Sequence, residues 1–442
     1  IRYLRLLLTD MNDFIVSLML LGAVGSYDGA LPFWATANQY GLMPESSGSF
    51  AMVSAGSGFD EGRTLQWRWG GTVAAGSWGD PVSPKSSPAH LMVDEMYASL
   101  RWKVFTLDAG MKHRDRDFLA SGSTLGTLSV TGGNMLWSAN TRTMPGATLS
   151  LEPLAVPFTG GRLKIYGRYG DYWTMDTRYR QGSLVHNLGA YVQWDVTPRL
   201  DVSLGLDHYA LWGGYNAEAP VNMKVTFKNY LRMALGMHAG ADGSESDQIN
   251  VIGDQRGAEL IRVRYRGDGF RLTAQHDIPY DDGSGMGFQN FPDGVNTIHF
   301  AWDDRDRWVS DLLYEYHYTM WQSGTCHDRP ATEDEIRNGK AFQLSNGEWR
   351  KTVGGGDNYF NNGEFRSGWT HYGMTIGDPL FFPAGTRDGS WNRGITLGVE
   401  NNRLRAHHLG LSGKIAHRLP YRLMATYPIS RGTYKKEFQP SI

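Results

Sequence analysis

The sequence predicts an all-β fold, a large antiparallel transmembrane β-barrel, on three observations. Stretches of about 9 to 11 residues alternate apolar and polar side chains, the period-two mark of a strand between two environments and the length a tilted strand needs to cross a bilayer. Aromatic and glycine content is high, with 15 Trp, 22 Tyr and 55 Gly in 442 residues. Mean hydropathy is only -0.41, too polar for a bundle of membrane helices. A soluble chain of this length would split into several cores, because single cores rarely outgrow roughly 250 to 300 residues. A barrel with lipid outside and a polar lumen escapes that limit, so residues 1–442 read as one domain.

In chain order, the longest apolar run is FIVSLMLLGAV, from Phe14 to Val24, too short for a membrane helix. Its length and the small residues Gly22 to Ser26 suit a signal-peptide core, but Asp10 and Asp13 stand where a basic region belongs. The run is read as a first strand. Next, Leu65, Trp67 and Trp69 alternate with Thr64, Gln66 and Arg68, and residues 93–112 change phase near Trp102 to Val104, as two strands meeting at a tight turn would. Weaker alternation marks 146–154, 296–302 and 392–400.

The clearest pattern runs from Arg162 to Gly214. Leu163, Ile165, Gly167 and Tyr169 alternate with Arg162, Lys164, Tyr166 and Arg168. Two further strands follow, Leu188 to Val196 and Leu200 to Leu206, joined by a turn at Thr197, Pro198 and Arg199. In a later hairpin, Ile261, Val263 and Tyr265 oppose Arg262, Arg264 and Arg266, Gly267 to Gly269 turn the chain, and Phe270, Leu272 and Ala274 return against Arg271, Thr273 and Gln275. An Arg at the bilayer midplane costs roughly 2 to 4 kcal/mol, so three on the lipid face would cost up to about 6 to 12 kcal/mol, comparable with a whole domain's stability. These arginines therefore face the lumen. Leu312, Tyr314, Tyr316 and Tyr318 form an aromatic row suited to a membrane interface, and Leu409 to Tyr427 read as a closing hairpin. The total is about 14 to 18 strands.

Two segments break the pattern. Residues 222–240 set Phe227, Leu231, Ala234 and Leu235 at helical spacing with Lys and Arg on the other side, predicting a helix outside the bilayer or plugging one end. Residues 324–356 are too polar for a strand pair and too long for a turn, predicting a large loop.

A formal net charge of -2 argues against nucleic acid as a partner. The single Cys326 cannot form an internal disulfide, and beside His327 in a polar loop it lacks partners for a metal; no cofactor is expected. No GxSxG, HExxH or Walker A motif is present, and nothing sets two carboxylates across a cleft. The candidate ligand-binding groups are the cations Arg162, Lys164, Arg168, Arg262, Arg264 and Arg266, which could hold an acidic polysaccharide through charge-assisted hydrogen bonds. Equally, they could pair with lumen carboxylates such as Asp195, Asp201 and Asp207 and only hold the barrel's shape. Asp281, Asp282 and Ser284 could take a cation or sugar hydroxyls, against the commoner reading as a turn. Trp369, Tyr372 and Trp391 could stack on sugar rings, against the reading as an interfacial girdle. His407 and His408 are adjacent on one strand and point to opposite faces, so they cannot chelate together.

The stretch DNYFNNGEFRSGWTHYGMTIGDPLF, beginning at Asp357, resembles the signature of the Wzi-type capsule assembly family, in its Bacteroidetes-like branch. LPFWATANQYGL at 31–42, GLDHYALWGG at 205–214, HDIPYDDGSGMGFQNFPDG from His276 and NNRLRAHHLGL at 401–411 support it in one consistent order, whereas residues 1–13 match nothing. The resemblance implies an outer-membrane barrel of about 18 strands, helical segments blocking the periplasmic end, long external loops, and a non-enzymatic, lectin-like role in binding and anchoring surface or capsular polysaccharide. The partners implied are that polysaccharide, outer-membrane lipid and lipopolysaccharide, and other outer-membrane proteins. The alternative, from the basic lumen, is a porin-like channel for anionic solutes or oligosaccharides.

Overall fold

The computed structural model describes residues 4–11, 14–23, 33–42, 48–77, 90–114, 124–219, 221–244, 247–248, 251–281, 288–324, 327–384 and 398–441. Among these, seventeen strands form one antiparallel sheet: β1 (Leu4–Met11), β2 (Phe14–Ala23), β3 (Gly48–Ser57), β4 (Leu65–Ser77), β5 (His90–Trp102), β6 (Phe105–Met111), β7 (Pro145–Ala155), β8 (Leu163–Trp173), β9 (Gln181–Thr197), β10 (Leu200–Tyr215), β11 (Asp254–Gly267), β12 (Phe270–Tyr280), β13 (Gly294–Trp302), β14 (Asp311–Tyr318), β15 (Leu404–Ile415), β16 (Leu419–Gly432) and β17 (Glu437–Ser441). Each strand pairs with the next in the chain, an up-and-down meander with no crossover. The apolar run from Phe14 is thus a strand, the second of the sheet, paired with β1 and β3.

The sheet is inside out relative to a soluble protein. On β11, Ile261, Val263 and Tyr265 are exposed while Arg262 is 3% exposed. On β14, Leu312 and Tyr314 are exposed while Asp311, Glu315 and His317 are wholly buried. A soluble protein does not expose an apolar surface on this scale. An apolar outer wall around a polar interior is the arrangement of a membrane-spanning barrel. As the alternation predicts, His407 faces outward, next to Tyr314, and His408 inward, where it is buried.

The links at one end of the sheet are short, such as 103–104, 198–199, 268–269 and 416–418, and every long segment lies at the other end. Two of those segments turn back into the lumen. The first, residues 124–144, carries helix α2 (Leu125–Leu128; α1 is Phe33–Thr36), and the second runs over 357–384. Together they build a plug around Met135, Leu136, Tyr359, Phe360, Trp369, Ile376 and Phe381, packed against Tyr172, Val185, Tyr209, Ala258, Val295 and Leu404 of the wall. The wall holds the plug by its buried polar groups: Asp277 accepts from the backbone N–H of Met135 (2.8 Å), Glu315 from that of Val130 (2.8 Å), and Asp207 from the Asn134 amide (2.9 Å). Trp34, within α1, donates from Nε1 to Thr426 of β16 (3.1 Å). The sheet therefore curls around these segments, which touch one face of it from β8 to β16.

A Cβ on Gly377 would lie 2.2 Å from the backbone oxygen of Met135, where the two plug segments meet. Gly377→Ala should therefore force the segments apart at a cost of about 1–3 kcal/mol, read as faster protease cleavage within 357–384 while the strands stay protected.

Three sequence expectations need correction. The helix of 222–240 is shorter, α3 (Phe227–Ala234), and packs on the outer face of the sheet; Phe227, Leu231 and Leu235 point away from the protein. The polar segment 324–356 is not an open loop but holds a small antiparallel sheet of His327–Pro330, Phe342–Gln343 and Trp349–Gly354, with helix α4 (Glu333–Arg337) started by a Thr332–Glu335 capping box. Local hydrogen bonds suffice there, because a capping box and a tight turn need no buried core. The strand expected at 392–400 lies mostly outside the described residues; its end, Val399–Asn401, pairs with Phe382–Pro383 beside the plug and not within the large sheet.

Candidate functional site

Inward-facing residues of β4 to β8 line a cavity of about 320 Å³ beside the plug. Small residues on β6 and β7, namely Thr106, Gly110, Gly146, Thr148 and Ser150, leave the space. Five cations, Arg68, Arg101, Lys112, Arg114 and Arg168, enter it against two carboxylates, Asp108 and Glu152. Lys112 is held by Asp108 (2.6 Å) and Arg168 by Asp207 (2.9 Å).

Two others have no carboxylate within ion-pair distance among the described residues. Arg68 points its Nε at Ser99 (3.4 Å), the residue opposite it in the β4–β5 register. Arg114 donates from Nη2 to Asn187 (2.7 Å) and lies over the Trp137 ring at 4.0 Å, with Tyr172 and Tyr209 beside it. Its Nη1 is buried without a hydrogen-bond partner. Buried donors are ordinarily satisfied, so an unfilled one in a cationic cavity marks a place for an acceptor. A carboxylate or sulfate is the matching chemistry.

Of the cations singled out in the sequence, only Arg168 lines this cavity. Lys164 pairs with Asp195 (2.7 Å), and Arg264 and Arg266 both pair with buried Asp201 (3.0 and 2.7 Å). Arg262 donates to Gln275, whose Nε2 in turn donates to Gly133 of the plug (2.9 Å). Arg162 is exposed by the 156–162 turn. Asp281 lies 3.5 Å from buried Arg256, which stacks over Phe360 and Trp369. Asp282, Ser284, Cys326 and Trp391 lie outside the described residues.

Trp369 is neither a girdle residue nor a sugar platform. It is wholly buried in the plug, donating from Nε1 to Leu136 (2.5 Å). Tyr372 is half-buried beside Arg142 and Met175. Arg68 and Arg101 did carry a signal, since both occupy polar positions in alternating stretches; Arg114, in MKHRDRD beyond a strand end, had none beyond its charge.

Asp94, Glu95 and His113 bring three ligand-type atoms within 4.8 Å of one another. A register shift between Thr72 and Val73 of the partner strand accompanies this placement, a bulge that lets adjacent residues share a side. His113 already bonds Asp94 (3.0 Å), its backbone N–H donates to Glu95 (2.7 Å), and Tyr40 stacks on its ring. These contacts make the cluster a hydrogen-bonded clamp between β5 and the segment leading to Arg114.

His371, in the plug, supplies a pH dependence. Its Nδ1–H donates to the Arg142 carbonyl (3.2 Å) and its Nε2 accepts from the Met175 N–H (3.2 Å), so a second proton has no acceptor. Burial, with Arg178 adding and Asp176 opposing, pushes its pKa from 6.5 down to about 4. The unfolded chain therefore binds the extra proton first, and stability falls as pH drops from 6.5 to about 4. At 1.36 kcal/mol per unit the loss is on the order of 3 kcal/mol at most. Asp293 and Asp247, raised to about 6 by burial, act in the opposite sense as pH falls from there. His371→Gln isolates the term: its thermal midpoint should drop less than the wild type's between pH 7 and 4.5.

No family model matches the chain, and no curated protein matches it. Among solved structures it is similar to Wzi of Escherichia coli, an outer membrane protein involved in group 1 capsule assembly and described as a carbohydrate-binding β-barrel, at 12% identity over 95% of this chain and 80% of that one, with a TM-score of 0.47. It is also similar to Pseudomonas aeruginosa OccD3 (8% identity, 89% and 84% covered, TM-score 0.34) and Acinetobacter baumannii OccAB2 (9%, 88% and 86%, 0.31). All three lie below 25% identity and a TM-score of 0.5, so nothing about site or function follows from them.

Proposed function

We propose that this is a plugged outer-membrane barrel of the Wzi type that binds an acidic surface polysaccharide and helps hold it at the cell, without chemistry of its own. The observation that carries this reading is the unpaired cationic pair, Arg68 and Arg114, in a cavity with a surplus of positive charge beside an apolar plug. Binding rather than conduction is favoured because the plug has a well-packed core, which a diffusing solute cannot cross without unfolding it. Short turns belong to the periplasmic side and long loops to the exterior in such barrels, which sets 327–354 and the plug toward the surface. The sequence stretch from Asp357 that resembles the Wzi-type family builds that plug, and this supports the kinship.

A panel of purified surface polysaccharides tests the reading. Acidic polymers should be retained at low salt and released as ionic strength rises, and failure to bind every glycan of the source cell would sink it. The second reading, a porin-like channel for anionic solutes, rests on the surplus of cations lining the cavity. It predicts steady anion-selective openings of the wild type in a planar bilayer, where a binding barrel should be silent.

A further inference from the structure

Helix α3 leaves its most apolar face unpartnered. Its inner side is fastened to the outer wall of β8 to β11: Tyr230 donates to Asp171 (2.8 Å), Gln255 donates to the Met233 carbonyl (3.0 Å), and Met233 is buried against Ala210, Trp212 and Ile252. By strand alternation Asp171, His186 and Trp212 are outward-facing, yet His186 is wholly buried. The helix thus shields polar groups on the wall from whatever surrounds the barrel. On the far side, Phe227 and Leu235 are 76% and 70% exposed, and Leu231, at the same helical face, is 43% exposed. Lys228 and Arg232 form the next stripe around the helix, about 100° away, with Lys224 just before it.

We propose that α3 is a binding site for a phosphorylated lipid of the membrane leaflet at the long-loop end: the stripe of Phe227, Leu231 and Leu235 lies among acyl chains, and Lys224, Lys228 and Arg232 hold the headgroup phosphate. Two observations select lipid as the occupant. The stripe adjoins the exposed apolar wall: Tyr230 of the same helix hydrogen-bonds to Tyr169, and Tyr169 and Leu188, opposite each other in the β8–β9 register, both face outward. The cations also flank the stripe on one side only, as an interfacial helix requires and a buried protein contact does not. The proposal rests on the outer-membrane reading above, in which that leaflet's main phosphorylated lipid is the lipid A glycolipid.

The test uses the full chain in nanodiscs of phosphatidylcholine with and without lipid A. A bimane label at Phe227→Cys, in a Cys326→Ser background, should be quenched by lipids brominated on the acyl chain, as should a control label at Leu204→Cys on the wall. Lipid A retained through detergent extraction, counted by native mass spectrometry, should fall at least about tenfold in Lys224→Gln/Lys228→Gln/Arg232→Gln. Quenching at 204 but not at 227, or equal retention by the triple variant, overturns the proposal alone. No quenching at either position overturns the membrane reading beneath it. Efficient cross-linking between copies through residue 227 would assign the stripe to a second copy and also overturn it. Because α3 lies outside the lumen, the triple variant should bind acidic glycan as the wild type does.

Discussion

Replacing Trp369 with Ala is expected to turn a silent barrel into a leaky one. The indole is wholly buried, packs edge-on to Trp137 and Tyr209, and ties the two plug segments together through its bond to Leu136. Trp-to-Ala changes in cores cost about 3–5 kcal/mol, and here the loss falls on the plug, since the strands keep their own ladders. A barrel with this many strands has a lumen wide enough for water once its filling loosens. Discrete openings should therefore appear in planar bilayers for Trp369→Ala. Trp369→Phe, which keeps most of the volume, should stay largely closed; wild-type-like silence of the Ala variant would show that the plug does not seal the lumen.

The second large effect is at Asp378. This buried plug residue contacts His317 of β14 (3.1 Å), which in turn lies 3.5 Å from Glu315, and all three are wholly inaccessible. Asp378 also accepts from the N–H of Leu380 (2.8 Å), so one carboxylate orders the plug and docks it on the wall. Removing one partner from a buried charged network typically costs about 3–5 kcal/mol, because the other is left uncompensated. Asp378→Ala should lower the thermal midpoint sharply, and Asp378→Asn, which keeps hydrogen-bonding capacity, should lower it less. A double-mutant cycle with His317→Gln should show strong coupling; additive losses would mean that the two do not act together.

The strands were legible because period two maps directly onto a face. Arg262, Arg264 and Arg266 could be assigned inward from sequence and energy alone, and β11 carries them there. The plug was not legible, because its order comes from contacts between residues far apart, such as Leu136 and Trp369, and from left-handed positions such as Phe360 (φ 67°) and Tyr372 (φ 48°) that follow no period. Trp369 consequently looked like an interfacial aromatic. For α3 the helical spacing was readable, but which face met the protein depended on polar groups of another element. The site was half-legible for a related reason. Register sets Arg264 opposite Asp201 but Arg68 opposite Ser99, and only the register shows which cations are left without a carboxylate.

The most direct measurement compares an acidic surface polysaccharide with the same polymer after its carboxylates are reduced to alcohols, using the wild type and Arg68→Gln/Arg114→Gln. Charge-assisted hydrogen bonds are worth about 1.5–3 kcal/mol each. The wild type should therefore prefer the acidic form at least about tenfold, and the double variant should lose that preference while remaining folded. Equal binding of the two polymers, or an unchanged preference in the double variant, would contradict a lumen built to hold an anionic glycan.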